Sequence, residues 1–183
     1  LPLQHASDRM LGLMRRPYTF GYYRALVDAI VDRLPHASIG TDMIVGFPGE
    51  TDEDLRANLD HLPAAPLSHV HVFPYSDRPG TAAAAMSGKV PGAVIRERGA
   101  RLRAIGAELG RRFRQRQEGT VRPGLTLEDG TLVVTDNYLK VRIPAGLKRN
   151  HRVAVLVGPD VGTVVDGVQE PFTAESAEHA EPK

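Results

Sequence analysis

The hydrophobic pattern of this chain of 183 residues changes near Gly119. Before that glycine, short apolar runs alternate with segments of helical period, which is typical of parallel α/β structure. After it, short β-branched runs follow one another, separated by turn residues. Because each periodicity suits a different architecture, the sequence predicts two domains, 1–118 and 119–169, and an acidic tail at 170–183.

The first domain is predicted to contain three strand and helix units. The run Met43-Ile44-Val45 predicts a strand buried on both faces. A helix over 93–117 contains three glycines that each cost about 1 kcal/mol relative to alanine, so this helix needs tertiary packing. The predicted elements are a strand end at 1–4, a short helix after Ser7, a helix from Thr19 to Pro35, a strand within 39–47, a helix after Thr51, a strand at 69–73 and the long helix.

The second domain is predicted to be a small antiparallel β-barrel. Five strands fit in about 50 residues, a number and spacing that suggest a closed or nearly closed barrel of the oligonucleotide-binding (OB) kind. The tail at 170–183 is rich in Glu and Ala without periodicity, and we expect it to be disordered. The predicted strands are 120–127, 131–135, 138–143, 152–157 and 162–168.

Composition excludes several classes of function. The chain contains no cysteine, so it can form neither a disulfide nor a thiolate metal site, and it has no cysteine nucleophile. No apolar run approaches the roughly 20 residues that span a bilayer, and the first residues do not have the pattern of a signal peptide. We therefore expect a soluble, cytoplasmic, monomeric piece of a longer protein.

Polar residues follow three predicted strands of the first domain. They lie in Gln4-His5-Ala6-Ser7-Asp8, in the segment from Thr41-Asp42 to Thr51, and in the segment from Pro74 to Thr81. The carboxyl ends of parallel strands meet at one edge of a sheet, where α/β barrels build their sites. The sequence therefore predicts one site that combines residues from the three segments.

Three of these runs carry a resemblance to a known family. The chain resembles the radical S-adenosylmethionine (SAM) tRNA methylthiotransferases in PLQHASDRMLGLMRRPYT, GTDMIVGFPGETDED and HVFPYSDRPGTAAAAM, and in its last 60 or so residues, which resemble the TRAM RNA-binding domain. The resemblance implies the C-terminal half of a partial TIM-type barrel followed by an OB-like TRAM barrel. YSDRPGT and RRPYT are similar to the MtaB-like branch that acts on threonylcarbamoyladenosine at tRNA position 37, whereas PLQHAS is similar to the branch that modifies a ribosomal protein.

The resemblance implies a SAM pocket built from this chain. The zwitterionic end and ribose of SAM need a cation, an acid and an amide, and Arg16, Asp42 and Gln4 supply these groups. Ser7 and Gly46 are assigned to the same pocket, Gly46 as part of a tight turn over the cofactor. The alternatives are a surface ion pair for Arg16, a capped turn for Asp42, and an ordinary strand-to-helix loop at Gly46.

Cations and one aromatic residue predict contact with RNA. Tyr138, Lys140 and Arg142 alternate along one predicted strand, and an aromatic ring beside cations is typical of sites for single-stranded RNA. Lys148, Arg149 and Arg152 follow in a neighbouring turn. Arg78 is predicted to face the substrate nucleotide. Core packing is the alternative for Tyr138, and a surface ion pair is the alternative for Arg78.

The helix at 93–117 is rich in arginine. Because only two acids lie among eight arginines, the sequence predicts a positive surface suited to phosphate, with simple solvation as the alternative. The histidines at 5, 69 and 71 lack the spacing of metal ligands, and we interpret them as ordinary polar or partly buried side chains. The arginines are Arg96, Arg98, Arg101, Arg103, Arg111, Arg112, Arg114 and Arg116.

The family resemblance also implies partners that this chain cannot hold alone. The whole protein would carry two [4Fe-4S] clusters, receive electrons from a donor and bind tRNA, and cluster ligation requires thiolates. Because the chain has none, we expect it to be inactive by itself. The alternatives are a methylthiotransferase for isopentenyladenosine-37 or for a ribosomal protein, a tRNA-binding module without catalysis, and an α/β-barrel enzyme of other chemistry.

Overall fold

The computed structural model describes residues 1–165, and the chain divides into two compact units at Phe113 and Arg114. The predicted acidic tail at 170–183 and the end of the fifth predicted strand lie outside the described residues. A search of residues 1–165 for a helix both long and apolar enough to cross a bilayer finds none.

The first unit contains helices and a parallel strand pair. Its helices begin where the sequence predicts: the Ser7 side chain accepts from the Met10 amide, the Thr19 side chain accepts from the Tyr22 amide, and Thr51 forms a capping box with Asp54. The elements are α1 (Asp8–Leu13), α2 (Phe20–Arg33), β1 (Gly40–Val45), α3 (Asp52–His61), β2 (His69–Pro74) and α4 (Gly92–Gln117), with short 3-10 helices at Leu62–Ala64 and Ala82–Ala85. The last residues of α4 belong to the second unit.

Strands β1 and β2 pair in parallel along their whole length, from Gly40 opposite His69 to Val45 opposite Pro74. The predicted strand end at the start of the chain joins them, because Gln4 forms a parallel bridge with Met43. Three consecutive parallel segments therefore lie side by side, which brings the predicted site residues of the first two to neighbouring positions.

Strand β1 is buried on one face only. Thr41, Met43 and Val45 are buried, whereas the alternate residues, Asp42 among them, are half-buried. The prediction of a strand buried on both faces is therefore wrong. The physical reason is that the helices contribute to the core on the face that carries Met43, through residues such as Val27, Leu55 and Leu102.

Helix α4 packs through the predicted apolar residues. Leu102, Leu109 and Phe113 are buried, and Ile105 is half-buried against the same core. At Gly106 an added Cβ would lie 3.2 Å from the Cβ of Val70, so the missing side chain allows the helix to approach β2 closely. This close packing offsets the helix cost of glycine, as the sequence predicts.

The second unit contains a curled antiparallel sheet of five strands. The order is β5-β4-β3-β6-β7. The amide of Gly162 donates to the carbonyl of Arg142 at 2.8 Å, and Val161 forms a bridge with Arg142, so the sheet curls until the segment before β7 contacts the end of β5. The prediction of five short strands is confirmed. They are β3 (Val121–Leu127), β4 (Leu132–Thr135), β5 (Lys140–Arg142), β6 (Arg152–Leu156) and β7 (Thr163–Val165), around a core of Val133, Val141, Ile143, Val153, Val155 and Val157.

Candidate functional site

Two of the predicted cofactor residues are neighbours in the parallel strands. The amide of Gln4 donates to the carbonyl of Asp42 at 2.8 Å, and the amide of Ile44 donates to the carbonyl of Gln4 at 2.9 Å. Gln4 has a φ of 71°, in the left-handed region that residues with a side chain rarely adopt. Strained backbone of this kind persists where the surrounding structure holds it, often at ligand sites.

Asp42 lies on the exposed face of the strand pair, which we call the open face and which consists of Asp42, Ile44, His69, His71 and Phe73. Asp42 is opposite His71 in the register, and its Oδ1 lies 3.7 Å from the His71 Nδ1. The three rings of β2 follow one another, with centroid distances of 5.0 Å and 6.4 Å. The open face therefore combines a carboxylate, two imidazoles and an aromatic ring, a set that can bind hydroxyl groups and stack on a flat ligand.

Arg16 lies apart from the other two predicted residues. It follows α1 and lines a groove with Tyr18 and Tyr22. The hydroxyl of Tyr18 donates to the carbonyl of Leu3 at 3.2 Å, next to Gln4 in the chain. Within residues 1–165, Arg16 forms no ion pair, so the surface ion pair considered from the sequence is not observed.

Ser7 has a structural role at the start of α1. Its hydroxyl donates to Oδ1 of Asp54 at 2.7 Å, and Asp54 also pairs with Arg9. Burial by itself would raise the pKa of Asp54. The hydrogen bonds from Arg9, from the amide and hydroxyl of Thr51 and from Ser7 outweigh burial and hold this pKa well below its usual range. The same serine therefore caps α1 and ties it to α3.

His5 is buried beside this network. Its Nε2 lies 3.0 Å from Nδ2 of Asn58, and its Nδ1 accepts from the amide of Ser7 at 2.9 Å. Burial lowers the pKa of His5 to about 4. The sequence interpretation of His5 as an ordinary polar or partly buried side chain did not identify this contact, because Asn58 is 53 residues away in the chain. Residues 1–165 contain no group of three or more His, Asp or Glu side chains that could hold a metal ion.

Gly46 is required by the packing of the loop after β1. Its φ is 80°, and an added Cβ would overlap the side chain of Ile95. Its amide donates to Oε2 of Glu50 at 2.6 Å. Glu50 is buried, and Arg98 donates to its Oε1 at 2.7 Å and to Oδ1 of Asp52 at 2.7 Å. Burial raises the pKa of Glu50, while the Gly46 amide and Arg98 oppose that rise.

The arginines of α4 do not form one positive surface. Arg98 is buried in the pair with Glu50, which contradicts its predicted place on a phosphate-binding face. Arg112 donates to the carbonyl of Pro63 at 2.6 Å, and Arg114 donates to the carbonyls of Pro159 and Lys140 at 2.9 Å and 3.0 Å. These guanidinium groups hold backbone segments. Arg96, Arg101, Arg103, Arg111 and Arg116 are exposed, and Arg111 pairs with Glu108.

Arg78 lies exposed in the segment after β2. Lys89 pairs with Asp77, and its Nζ lies 5.4 Å from the ring centroid of Tyr75. The Tyr75 ring packs on Phe47, at a centroid distance of 5.3 Å. These contacts hold the side chains of Tyr75 and Asp77, which precede Arg78 in the chain. Arg78 itself forms no ion pair with the described residues.

Tyr138 is one of the most exposed side chains in the second unit. Its exposed fraction is 82%, so the alternative of core packing is wrong. Lys140 and Arg142 flank the buried Val141 in β5, and both are exposed. The structure therefore places the Tyr138 ring and the cations Lys140 and Arg142 on the surface. Lys148 and Arg149 are exposed in the turn before β6, where the Lys148 carbonyl accepts from the Thr126 hydroxyl at 2.6 Å.

Comparison with known proteins finds similarity to tRNA-modifying enzymes. No family model matches the chain. The chain is 40% identical over 182 residues to the tRNA-2-methylthio-N6-dimethylallyladenosine synthase of Mycobacterium sp. (strain MCS), covering 100% of this chain and 33% of the relative. It is 51% identical over 102 residues to the enzyme of that name from Mycolicibacterium gilvum, covering 56% of this chain and 20% of the relative. It is 39% identical over 157 residues to the threonylcarbamoyladenosine tRNA methylthiotransferase MtaB of Aquifex aeolicus, covering 86% of this chain and 38% of the relative. The chain spans about a third or less of the length of most of these relatives.

Proposed function

We propose that this chain, whose homologues are tRNA methylthiotransferases, is the part of such an enzyme that holds SAM and tRNA. The observation that carries the proposal is the backbone pairing of the buried Gln4 with the half-exposed Asp42 in neighbouring parallel segments. Arg16 lines a groove with Tyr18, whose hydroxyl donates to the carbonyl of Leu3, next to Gln4 in the chain. The similarity extends over the whole chain for the mycobacterial relative, so it includes both units.

The proposed reaction replaces the hydrogen on C2 of N6-threonylcarbamoyladenosine at tRNA position 37 with a methylthio group, whose sulfur would come from a donor bound outside this chain. The segment YSDRPGT and the Aquifex relative support this substrate. The second candidate is N6-dimethylallyladenosine, which the names of the two actinobacterial relatives favour. In both cases the substrate is an adenosine with a bulky substituent on N6.

Three residues offer the polar groups that SAM needs, two of them in neighbouring parallel segments and the third, Arg16, in a separate groove. Asp42 has a half-exposed carboxylate that can accept from ribose hydroxyls, Gln4 offers an amide, and Arg16 offers a guanidinium for a carboxylate. SAM would supply the methyl group. Ser7 and Gly46 would act indirectly, by fixing the start of α1 and the loop after β1.

The donor set does not fit an iron–sulfur cluster. With no cysteine in its sequence, the chain supplies no thiolate for a cluster. In the proposed enzyme, residues outside this chain would hold two [4Fe-4S] clusters and meet the electron donor. In the second unit, Tyr138, Lys140, Arg142, Lys148 and Arg149 would contact tRNA, and Arg78 would approach the target nucleotide.

Nucleoside mass spectrometry of tRNA tests the function. Deletion of the gene that encodes the whole protein should abolish one methylthiolated adenosine, and the identity of the lost nucleoside distinguishes the two substrates. If both methylthiolated nucleosides persist in the deletion strain, the proposal is wrong and a tRNA-binding role without catalysis is favoured.

Complementation of the deletion strain tests the residues. Whole protein that carries Asp42→Asn or Gln4→Ala should fail to restore the nucleoside. Asp60→Asn, an exposed aspartate in α3, is the matched control and should restore it. Normal modification by the Asp42 and Gln4 variants would remove these residues from the cofactor site.

A further inference from the structure

We propose that the outer face of the five-stranded sheet contains a pocket for an unpaired nucleobase of single-stranded RNA, with Tyr138 at its rim. This inference rests on the proposed function in taking RNA as the ligand. The proposed function assigns RNA contact to Tyr138 and to the cations of β5 and of the turn before β6. The pocket adds a binding role for apolar residues of β3, β4 and β6.

The strand register places an apolar strip between two cations. Lys140 is opposite Val134, Val134 is opposite Leu125, and Leu125 is opposite Arg152. Residues paired across strands point to the same face of a sheet, and neighbouring strands lie about 4.8 Å apart. The two cations are therefore separated by roughly 14 Å, with two apolar side chains between them.

A groove lies over this strip. Pro123, Leu125, Val134 and Ala154 line it, together with Tyr138 and Arg152, and its volume is about 710 Å³. That volume falls within the range of about 300 to 1,000 Å³ that is typical of ligand sites in proteins. The lining is mostly apolar, as the face of a nucleobase requires.

Among the described residues, the acidic side chain that lines the groove is paired with a cation. Asp136 is the acidic residue of the lining, and Arg122 pairs with it, with 2.9 Å between Nε and Oδ1. Lys140 and Arg152 flank the strip, and Arg142 follows Lys140 on the same face of β5. The groove is therefore apolar in the centre with the cations Lys140 and Arg142 on its β5 side, which complements bases joined by phosphates.

Tyr138 is held away from the core by its neighbours. Its φ of 61° is in the left-handed region, and its amide donates to the carbonyl of Thr135 at 2.9 Å. The hydroxyl of Thr135 lies 2.6 Å from Oδ1 of the buried Asn137, whose Nδ2 donates to Gln117 at 3.1 Å. These contacts keep the large aromatic ring of Tyr138 exposed to solvent at the edge of the apolar groove. Such an arrangement costs free energy in the unbound protein and suits stacking on a base.

Fluorescence titration of the 183-residue chain tests the pocket. The chain contains no tryptophan, so Tyr138→Trp introduces a single indole at the rim. Titration with a 12-nucleotide single-stranded oligoribonucleotide should quench this indole, and a duplex of the same length should quench it far less. Replacement of Tyr138 by glycine, which suits its φ, should weaken single-strand affinity about 5- to 100-fold and leave duplex affinity unchanged.

Two further variants separate stacking from charge. Tyr138→Phe keeps the ring and should bind single-stranded RNA as tightly as the unmodified chain. Lys140→Gln should reduce the magnitude of the slope of log K against log salt concentration by about 0.7, where K is the association constant for single-stranded RNA. Tyr138→Gly should leave that slope unchanged. Equal binding of single strand and duplex, or unaltered affinity after Tyr138→Gly, would overturn the pocket.

The outcome is independent of the methylthiolation test. Oligonucleotide binding to this chain requires neither SAM nor a cluster, and the deletion experiment requires no variant of Tyr138. If the indole is quenched while tRNA modification is normal in the deletion strain, the pocket stands and the proposed reaction fails. If the indole is not quenched while the deletion strain loses a methylthiolated nucleoside, the pocket is wrong and the proposed reaction stands.

Discussion

The guanidinium of Arg98 lies 2.7 Å from the carboxylate of Glu50, between Nη1 and Oε1, and the exposed fractions of the two side chains are 7% and 0%. The pair connects α4 to the loop that follows β1, and the Gly46 amide donates to the same carboxylate. This buried contact therefore fixes the loop that lies beside the candidate cofactor site.

Loss of Arg98 should destabilise the first unit strongly. Arg98→Ala leaves the Glu50 carboxylate buried without its cation, which typically costs about 3–5 kcal/mol. Urea denaturation followed by circular dichroism measures this change. The control is Arg103→Ala, an exposed arginine one and a half turns along the same helix, which should change stability by less than about 0.5 kcal/mol. A loss below about 1 kcal/mol for Arg98→Ala would show that the pair does not fix the loop.

Alanine substitutions at two glycines should separate conformational cost from steric cost. Gly46 and Gly80 both have a φ of 80°, but an added Cβ overlaps Ile95 at Gly46 and meets nothing within 4 Å at Gly80. Gly80→Ala should cost about 1 kcal/mol, whereas Gly46→Ala should cost about 2–4 kcal/mol. Chemical denaturation of the two variants in parallel gives the difference. Equal costs would mean that the side chain of Ile95 moves freely out of the way.

Acid should destabilise the first unit in two stages. The folded-state pKa of His5, about 4, is below the ordinary value of 6.5, so the fold favours the neutral ring. This stabilisation is complete above pH 6.5 and is lost as the pH falls from 6.5 to 4, in an amount of about 3 kcal/mol. The pKa of Asp54 is also lowered, so its contribution is lost as the pH falls below its ordinary value of 3.8.

The first stage can be assigned by substitution. The free energy of unfolding of His5→Gln, which cannot titrate, should change less between pH 6.5 and 4 than that of the unmodified chain. Urea titrations at several pH values measure both profiles. Parallel profiles for the two proteins would contradict the assignment to His5.

Reversal of charge at Arg142 should weaken tRNA binding. Arg142→Glu removes one cation from the exposed face of β5 and should lower the slope of log K against log salt by about one unit. Filter binding or anisotropy at several salt concentrations measures the slope. The matched control is Arg33→Glu, which makes the same charge change at the exposed end of α2 and should leave the slope unaltered. An unaltered slope for Arg142→Glu would remove that residue from the interface.

Local signals in the sequence predict most of the secondary structure. Ser7, Thr19 and Thr51 begin helices, and the short β-branched runs after Gly119 form five strands, because capping and side-chain alternation act between residues close in the chain. The resemblance to methylthiotransferases also depends on residues close in the chain, because contiguous motifs carry it. The names of the homologues agree with that resemblance.

The predicted sites depend on contacts that the sequence does not specify. The sequence predicts that Gln4, Asp42 and Arg16 share one site. Strand pairing brings Gln4 and Asp42 together, whereas Arg16 lies in a separate groove. Arg98 was assigned to a positive surface, but it pairs with a carboxylate 48 residues away. The spacing of charges along a helix does not reveal which of them meets a partner from another element.

The composition and periodicity of the chain determined its two kinds of architecture, its helix starts and the exclusion of thiolate chemistry within it. Only the tertiary structure decided that His5 and Arg98 are buried, that Tyr138 is exposed, and that Leu125 and Val134 lie between two cations. The physical reason is that burial and register arise from pairing between distant segments, whose free energy depends on packing and desolvation rather than on the identity of neighbouring residues.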